Sequence, residues 1–179
     1  MMRLENLLII SGNGRNTGKT SFACRVISTV KDNYTVTAVK VSPHFHEKKG
    51  KDEAFIINKN FTITLETDPW RSKDSSRMIA AGAQKVYYIE VTDSHLQDAF
   101  DELMPLLPEE GPIVCESGGL RNLIEPSMFI MLNEFGREEL KEGFQKLSPL
   151  ADKIVLFEGS NFDYSPEKIK FNGNKWTTS

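Results

Sequence analysis

The apolar run Leu7-Leu8-Ile9-Ile10 gives way at Ser11 to the stretch Gly12-Asn13-Gly14-Arg15-Asn16-Thr17-Gly18-Lys19-Thr20-Ser21. Apolar residues then return at Phe22, Ala23, Val26, Ile27 and Val30. A short apolar run that ends in glycines predicts a buried strand over 6–11. The later spacing puts its apolar residues on one face of a helix from 19 to about 30. Glycines let the intervening backbone curl until successive N–H groups point inward. The helix start adds its partial positive charge. A strand, a glycine-rich turn and a helix in this order describe a cradle for polyphosphate, and every residue from Gly12 to Ser21 is a candidate contact. Lys19 offers a mobile ammonium to the β and γ phosphates, and Thr20 a hydroxyl oxygen to magnesium. The spacing is Gly-x-Gly-x-x-x-Gly-Lys-Thr, with Asn13 where the usual G-x-x-x-x-G-K-[ST] pattern has its first glycine.

Downstream, strands and helices alternate. Tyr34 to Val41 is rich in β-branched residues and reads as a strand. The stretches 54–58 and 61–66 read as a hairpin closed near Lys59 and Asn60 and inserted between that strand and the next helix. A helix is expected over 74–83, with Ser72 or Asp74 as its cap. A strand follows over 85–91. Ser94 and Gln97 offer a capping box for a helix whose apolar face is Leu96, Ala99, Phe100 and Leu103, stopped by Pro105. Strands are expected over 112–116 and 128–132. A helix over 137–147 has Leu140, Phe144 and Leu147 inward and ends at Pro149. The last central strand covers 153–157, and 168–171 with 175–178 form a terminal hairpin around Asn172-Gly173. Mostly continuous apolar strands between helices predict an α/β fold: a mainly parallel sheet with helices on both faces. Ligands of such sheets bind at the carboxyl ends of the strands.

The chain of 179 residues suits one domain over 1–179 with a core of its own. Its formal net charge of -3 gives no bulk attraction to nucleic acid or acidic lipid. The basic cluster of Lys48, Lys49 and Lys51 is interrupted by Glu47, Asp52 and Glu53 and reads as a solvated loop. Cys24 and Cys115 sit in apolar segments and read as core residues. Leu7 to Ile10 is too short for a signal segment, and no apolar stretch could span a bilayer. A cytoplasmic protein with neither nucleic acid nor membrane as partner is expected.

A polyphosphate site needs an acid to hold magnesium, directly or through water. Glu116 closes an apolar strand and precedes Ser117-Gly118-Gly119, whose backbone can approach a phosphate, with Gly118 as a candidate contact. Asp74 is a second candidate acid, and Asp68 a weaker one. Lys40, near the end of its strand, either faces the same rim or points to solvent. His44 and His46 could face one metal, although solvated or hydrogen-bonded histidines fit that loop better.

Three features together resemble the molybdopterin-guanine dinucleotide biosynthesis protein B family. They are the Gly-Lys-Thr loop, Val39-Lys40 with the histidines after it, and Asp74-Ser75-Ser76-Arg77-Met78-Ile79-Ala80-Ala81-Gly82-Ala83. The likeness covers about the first 130 residues. It implies a P-loop NTPase architecture, GTP with magnesium as ligands, a homodimer, and a role assisting a partner enzyme of cofactor biosynthesis. It also implies phosphate and metal contacts from Gly18, Lys19 and Thr20, with Lys40 and Asp74 on the site rim and Glu116 as the strand-end acid. The loop spacing and Glu116-Ser117-Gly118-Gly119 are closer to dethiobiotin synthetase, an ATP-dependent relative of the same P-loop class. No Asn-Lys-x-Asp motif occurs, so GTP and ATP both stay open.

Overall fold

Strand β1 (Met2–Gly12) occupies the middle of the sheet, with β6 (Ile113–Glu116) on one side and β7 (Ile124–Glu134) on the other, both parallel to it. The computed structural model describes residues 1–43, 45, 54–70 and 72–178. Beyond β6 come β2 (Thr37–Ser42) and β5 (Lys85–Val91), and beyond β7 comes β8 (Lys153–Glu158), all parallel. Antiparallel strands finish both edges: β4 (Phe61–Glu66) and then β3 (Ala54–Ile57) beside β5, and β9 (Asn161–Phe162) beside β8. The result is a nine-stranded, mostly parallel sheet in the order β3-β4-β5-β2-β6-β1-β7-β8-β9.

Alternate residues of each strand feed two cores, one on either face. Leu8, Ile10, Ala38, Val114 and Ile130 pack under helices α1 (Lys19–Val30) and α2 (Asp74–Ala80). The same face is closed by an antiparallel hairpin of β10 (Ile169–Phe171) and β11 (Trp176–Thr178). Trp176 is buried there, with its indole N–H donating to the Asn6 carbonyl at 2.9 Å. Leu7, Ile9, Val39, Ile89 and Phe129 face the other way, under α3 (Leu96–Leu103) and α4 (Glu142–Leu147). The expected apolar faces of α1 and α3 are the buried ones. Cys115 is buried in the core, as expected, whereas Cys24 is half-buried at its margin.

Several expectations need correction. The helix expected over 137–147 forms only over Glu142–Leu147, and Leu140 is exposed. Residues 137–141 are instead drawn into tertiary hydrogen bonds with the glycine-rich loop, which helical geometry would forbid. The hairpin of β3 and β4 forms as expected, and it joins the main sheet because β4 also pairs along its whole length with β5. Ile63 on β4 is fully buried as a result.

Neither proposed cap operates as such. Residue Lys73, which has no capping oxygen, precedes α2, while the Asp74 carboxylate reaches Lys40. The Ser94 hydroxyl pairs with Thr92 and the Gln97 amide with Asp101, so the capping box does not form. Helix α2 stops at Ala80, short of 83, where Gly82 takes a positive φ and its N–H returns to Ile79. The second strand begins at Thr37 rather than at Tyr34, whose ring packs edge-on against Phe171. His44, His46 and the lysines at 48, 49 and 51 lie outside the described residues.

Candidate functional site at the glycine-rich loop

The loop between β1 and α1 has left-handed backbone at Gly14, Asn16 and Gly18. Gly18 occupies the cap position of α1 with φ 78°. A Cβ there would come within 2.6 Å of the Phe157 ring, so both the turn and the packing exclude a side chain. At Gly12 a Cβ would meet the Leu132 carbonyl and the Thr17 hydroxyl, each at 2.7 Å. The first turn of α1 leaves N–H groups without intrahelical acceptors, directed into the loop.

Asn13 holds this shape. Its N–H donates to the Leu132 carbonyl at 2.9 Å, and its side-chain amide to Asn133 Oδ1 at 2.9 Å and to the Glu139 carbonyl at 2.8 Å. Its Oδ1 accepts the Lys141 N–H at 2.9 Å, and its carbonyl accepts Arg137 at 2.7 Å. Asn13 is fully buried and these bonds occupy its amide groups, so it shapes the loop while its neighbours face the cavity. Thr17 is also fully buried, and Arg15 and Asn16 are exposed. The Lys19 ammonium folds back onto the Gly14 carbonyl and lies 3.2 Å from Thr17 Oγ1. Burial lowers its pKa below the usual lysine value, outweighing the pull of the Glu116 carboxylate.

Next to the loop, four elements bring charged groups together. Thr20 Oγ1 at the start of α1 donates to Glu116 Oε2 at the end of β6, at 2.7 Å. Lys40 Nζ on β2 lies 2.5 Å from Glu116 Oε1 and 3.0 Å from Asp74 Oδ2 on α2. Burial alone would lower the Lys40 pKa, but Glu116 and Asp74 outweigh it and hold the ammonium above its ordinary value. Burial likewise opposes ionisation of Asp74, and Lys40, Thr20 and Arg77 reverse this and hold its carboxyl below the usual range. Arg77 also donates to Ser21 Oγ at 2.9 Å, fastening α2 to the first turn of α1. The sequence-predicted residues Lys19, Thr20, Ser21, Lys40, Asp74 and Glu116 therefore meet at one place, and Gly118 is exposed on its wall.

The cavity they line has a volume of about 1250 Å³. It reaches from Phe157 at one end to Glu66, Tyr88 and Glu90 at the other. The sequence reading did not single out these four residues. For Glu66, Tyr88 and Glu90 the signal is the polar alternation Thr62, Thr64, Glu66 on β4 and Tyr88, Glu90 on β5. A smaller recess of about 190 Å³ opens beside Gly118, between Val41, Val91 and Leu96. Among the described residues, no group of three or more His, Cys, Asp or Glu residues could hold a metal ion by itself. The oxygens of Glu116 and Asp74 nonetheless converge on a cation, the Lys40 ammonium, and Thr20 Oγ1 is bonded to the same Glu116 carboxylate. Hydroxyl and carboxylate oxygens are the donors magnesium prefers, with water and phosphate completing its shell. Among the described residues no helix is long and apolar enough to cross a membrane. The chain matches no protein-family model, no curated protein and no solved structure in these comparisons.

Proposed function

We propose that the chain is a magnesium-dependent, P-loop nucleoside-triphosphate-binding protein with slow NTPase activity. The observation that carries this reading is the meeting of Thr20, Lys40, Asp74 and Glu116 beside a glycine-rich loop at the carboxyl ends of parallel strands. The loop N–H groups and Lys19 would bind the β and γ phosphates. Magnesium, held by Thr20 and Glu116 with Asp74 in reach, would neutralise the charge that develops on the phosphoryl oxygens. Lys40 would move off the carboxylates toward the γ-phosphate as that cation takes its place. Gly12 to Ser21 and Gly118 frame the polyphosphate, and Arg77 keeps Asp74 and Ser21 in register with it. The Asp74–Ala83 stretch supports a role like that of the molybdopterin-guanine dinucleotide protein B family, as a homodimeric GTP-binding partner of a biosynthetic enzyme.

The second reading is an ATP-dependent small-molecule kinase or ligase of the dethiobiotin synthetase type. The size of the cavity favours it, because about 1250 Å³ exceeds the roughly 300–1,000 Å³ of ordinary single-ligand sites. Thermal stabilisation by ATP, GTP and CTP, with and without magnesium, tests nucleotide binding and base preference together. No stabilisation by any of the three would sink both readings.

A further inference from the structure

The two ends of the large cavity differ in chemistry. Beside the outer turn of the loop it is lined by Arg15, Lys141 and the half-buried ring of Phe157. A nucleobase needs a flat apolar face, and among these walls the Phe157 ring supplies one. Past Lys40 the lining changes to Ser42, Thr64, Glu66, Tyr88 and Glu90.

Strand register explains this floor. Glu116, Lys40, Tyr88 and Thr64 are partners across four neighbouring strands. Ser42, Glu90 and Thr62 form the next polar row. With strands about 4.8 Å apart, Tyr88 sits about 10 Å across the sheet from Glu116, one small molecule away from the phosphate end. Glu66 is buried and held firmly: its Oε2 accepts Ser75 Oγ at 2.9 Å and its Oε1 accepts the Thr67 N–H at 3.1 Å. Glu90 is buried as well, with its Oε2 accepting Thr62 Oγ1 at 3.0 Å. Hydroxyls set around two fixed carboxylates attract hydroxyl and ammonium groups and repel anions. Among the described residues lining this half, Lys73 is a cation at the rim, and Lys40 is already matched by Asp74 and Glu116.

We propose that this half of the cavity binds a phosphoryl acceptor, a small hydroxyl-bearing molecule that is uncharged or cationic. The inference rests on the nucleotide-binding reading above and makes the reaction a transfer rather than a hydrolysis. The acceptor's hydroxyl oxygen forms a bond to the γ phosphorus while the bond from that phosphorus to the β–γ bridging oxygen breaks. The nucleoside diphosphate leaves with that oxygen, and the hydroxyl proton passes to the Glu90 carboxylate. Tyr88 and Thr64 hold the remainder of the acceptor by their hydroxyls.

The test uses the full chain with magnesium and ATP or GTP, and three probes: ethanolamine, glycerol and glycerate. Diphosphate release and the phosphoester signal by phosphorus NMR are measured together. Ethanolamine or glycerol is expected to give a phosphoester, and glycerate none. Glu90→Gln is expected to lower the acceptor-dependent rate about a hundredfold, the usual scale of a lost general base, with nucleotide-induced stabilisation unchanged. Thr64→Val, at a half-exposed position, is expected to raise the KM for the probe and leave that for nucleotide unchanged. Nucleotide stabilisation without phosphoester from ethanolamine or glycerol overturns the acceptor chamber and leaves nucleotide binding standing. Preferential phosphorylation of glycerate overturns the charge assignment. Absence of nucleotide stabilisation overturns the inference together with the reading beneath it.

Discussion

Thr20 Oγ1 donates to Glu116 Oε2 at 2.7 Å, joining the first turn of α1 to the end of β6 across 96 positions of the chain. The same carboxylate holds Lys40 through its other oxygen. Glu116 therefore sets the places of both a hydroxyl and an ammonium that the proposed chemistry uses.

Glu116→Gln keeps the shape and removes the charge. Magnesium-dependent turnover is expected to fall about ten- to a hundredfold, with a smaller loss of nucleotide affinity. Rates are measured across a magnesium titration. Equal activity of the two proteins at limiting magnesium removes Glu116 from the site.

Lys19→Ala is expected to weaken NTP binding by about 2 kcal/mol or more, the scale of hydrogen bonds to charged groups. The Lys19 head contacts only loop atoms among the described hydrogen bonds, so the thermal midpoint without nucleotide should change little. Calorimetric titration measures the affinity, and unchanged binding refutes the phosphate-loop assignment.

Asn13→Ala has the opposite profile. It strips the side-chain bonds to Asn133, Glu139 and Lys141 from a fully buried position. A loss of about 2–4 kcal/mol is expected from removing several buried hydrogen bonds at once. Urea unfolding reads it directly, and a loss under about 0.5 kcal/mol would assign the loop's shape to other contacts.

Burial pushes the Cys24 thiol from its ordinary 9.0 up to about 11, with the nearby guanidinium of Arg77 only partly opposing it. The native state thus favours the neutral thiol. Above pH 9 the unfolded chain releases this proton first, so stability is expected to fall as pH rises from about 9 toward 11. Cys115, fully buried, is pushed up further. Alkylation at pH 8 should be slow in native protein and fast in urea. Rapid modification of the folded chain contradicts this.

Strand β3 lies at the sheet edge and exposes Phe55 and Ile57 at 57% and 70%, and a homodimer is expected to form there. An apolar sheet edge invites pairing with a second copy. Phe55→Lys with Ile57→Lys should give a folded monomer that still binds nucleotide. A charge at Ile63 would instead disrupt the core, since that side chain is fully buried. Light scattering of the unaltered protein decides the matter: a monomeric mass at micromolar concentration excludes the homodimer.

The parts legible in the sequence were those set by local pattern. The helix over 19–30 and the strand over 85–91 occur where apolar period and residue type put them. Glycines and strand ends mark Lys19, Thr20 and Glu116 in the sequence, and the fold brings them to one cavity. Residues 137–141 depart from the helix their period predicts because long-range bonds to Asn13 claim backbone groups there. The place of the hairpin in the sheet is not legible, because nothing local tells β4 that β5 will be its partner. The polar cavity floor was missed for a related reason. Its residues lie on four strands, and only register brings Thr64, Tyr88, Lys40 and Glu116 into line.

The placing of β1 between β6 and β7 also has a kinetic side. Leu7 pairs with Ile113 and Ile9 with Phe129, so the middle of the sheet closes only when segments more than a hundred positions apart have met. Such non-local pairing makes refolding slow. Asn13 bonds to Leu132, Asn133, Glu139 and Lys141, so the loop takes its shape only after β7 has docked. A ligand held by this loop would therefore gain its grip late, beyond the folding barrier. Saturating nucleotide would lengthen the lifetime of the native state and leave the rate of its formation almost untouched.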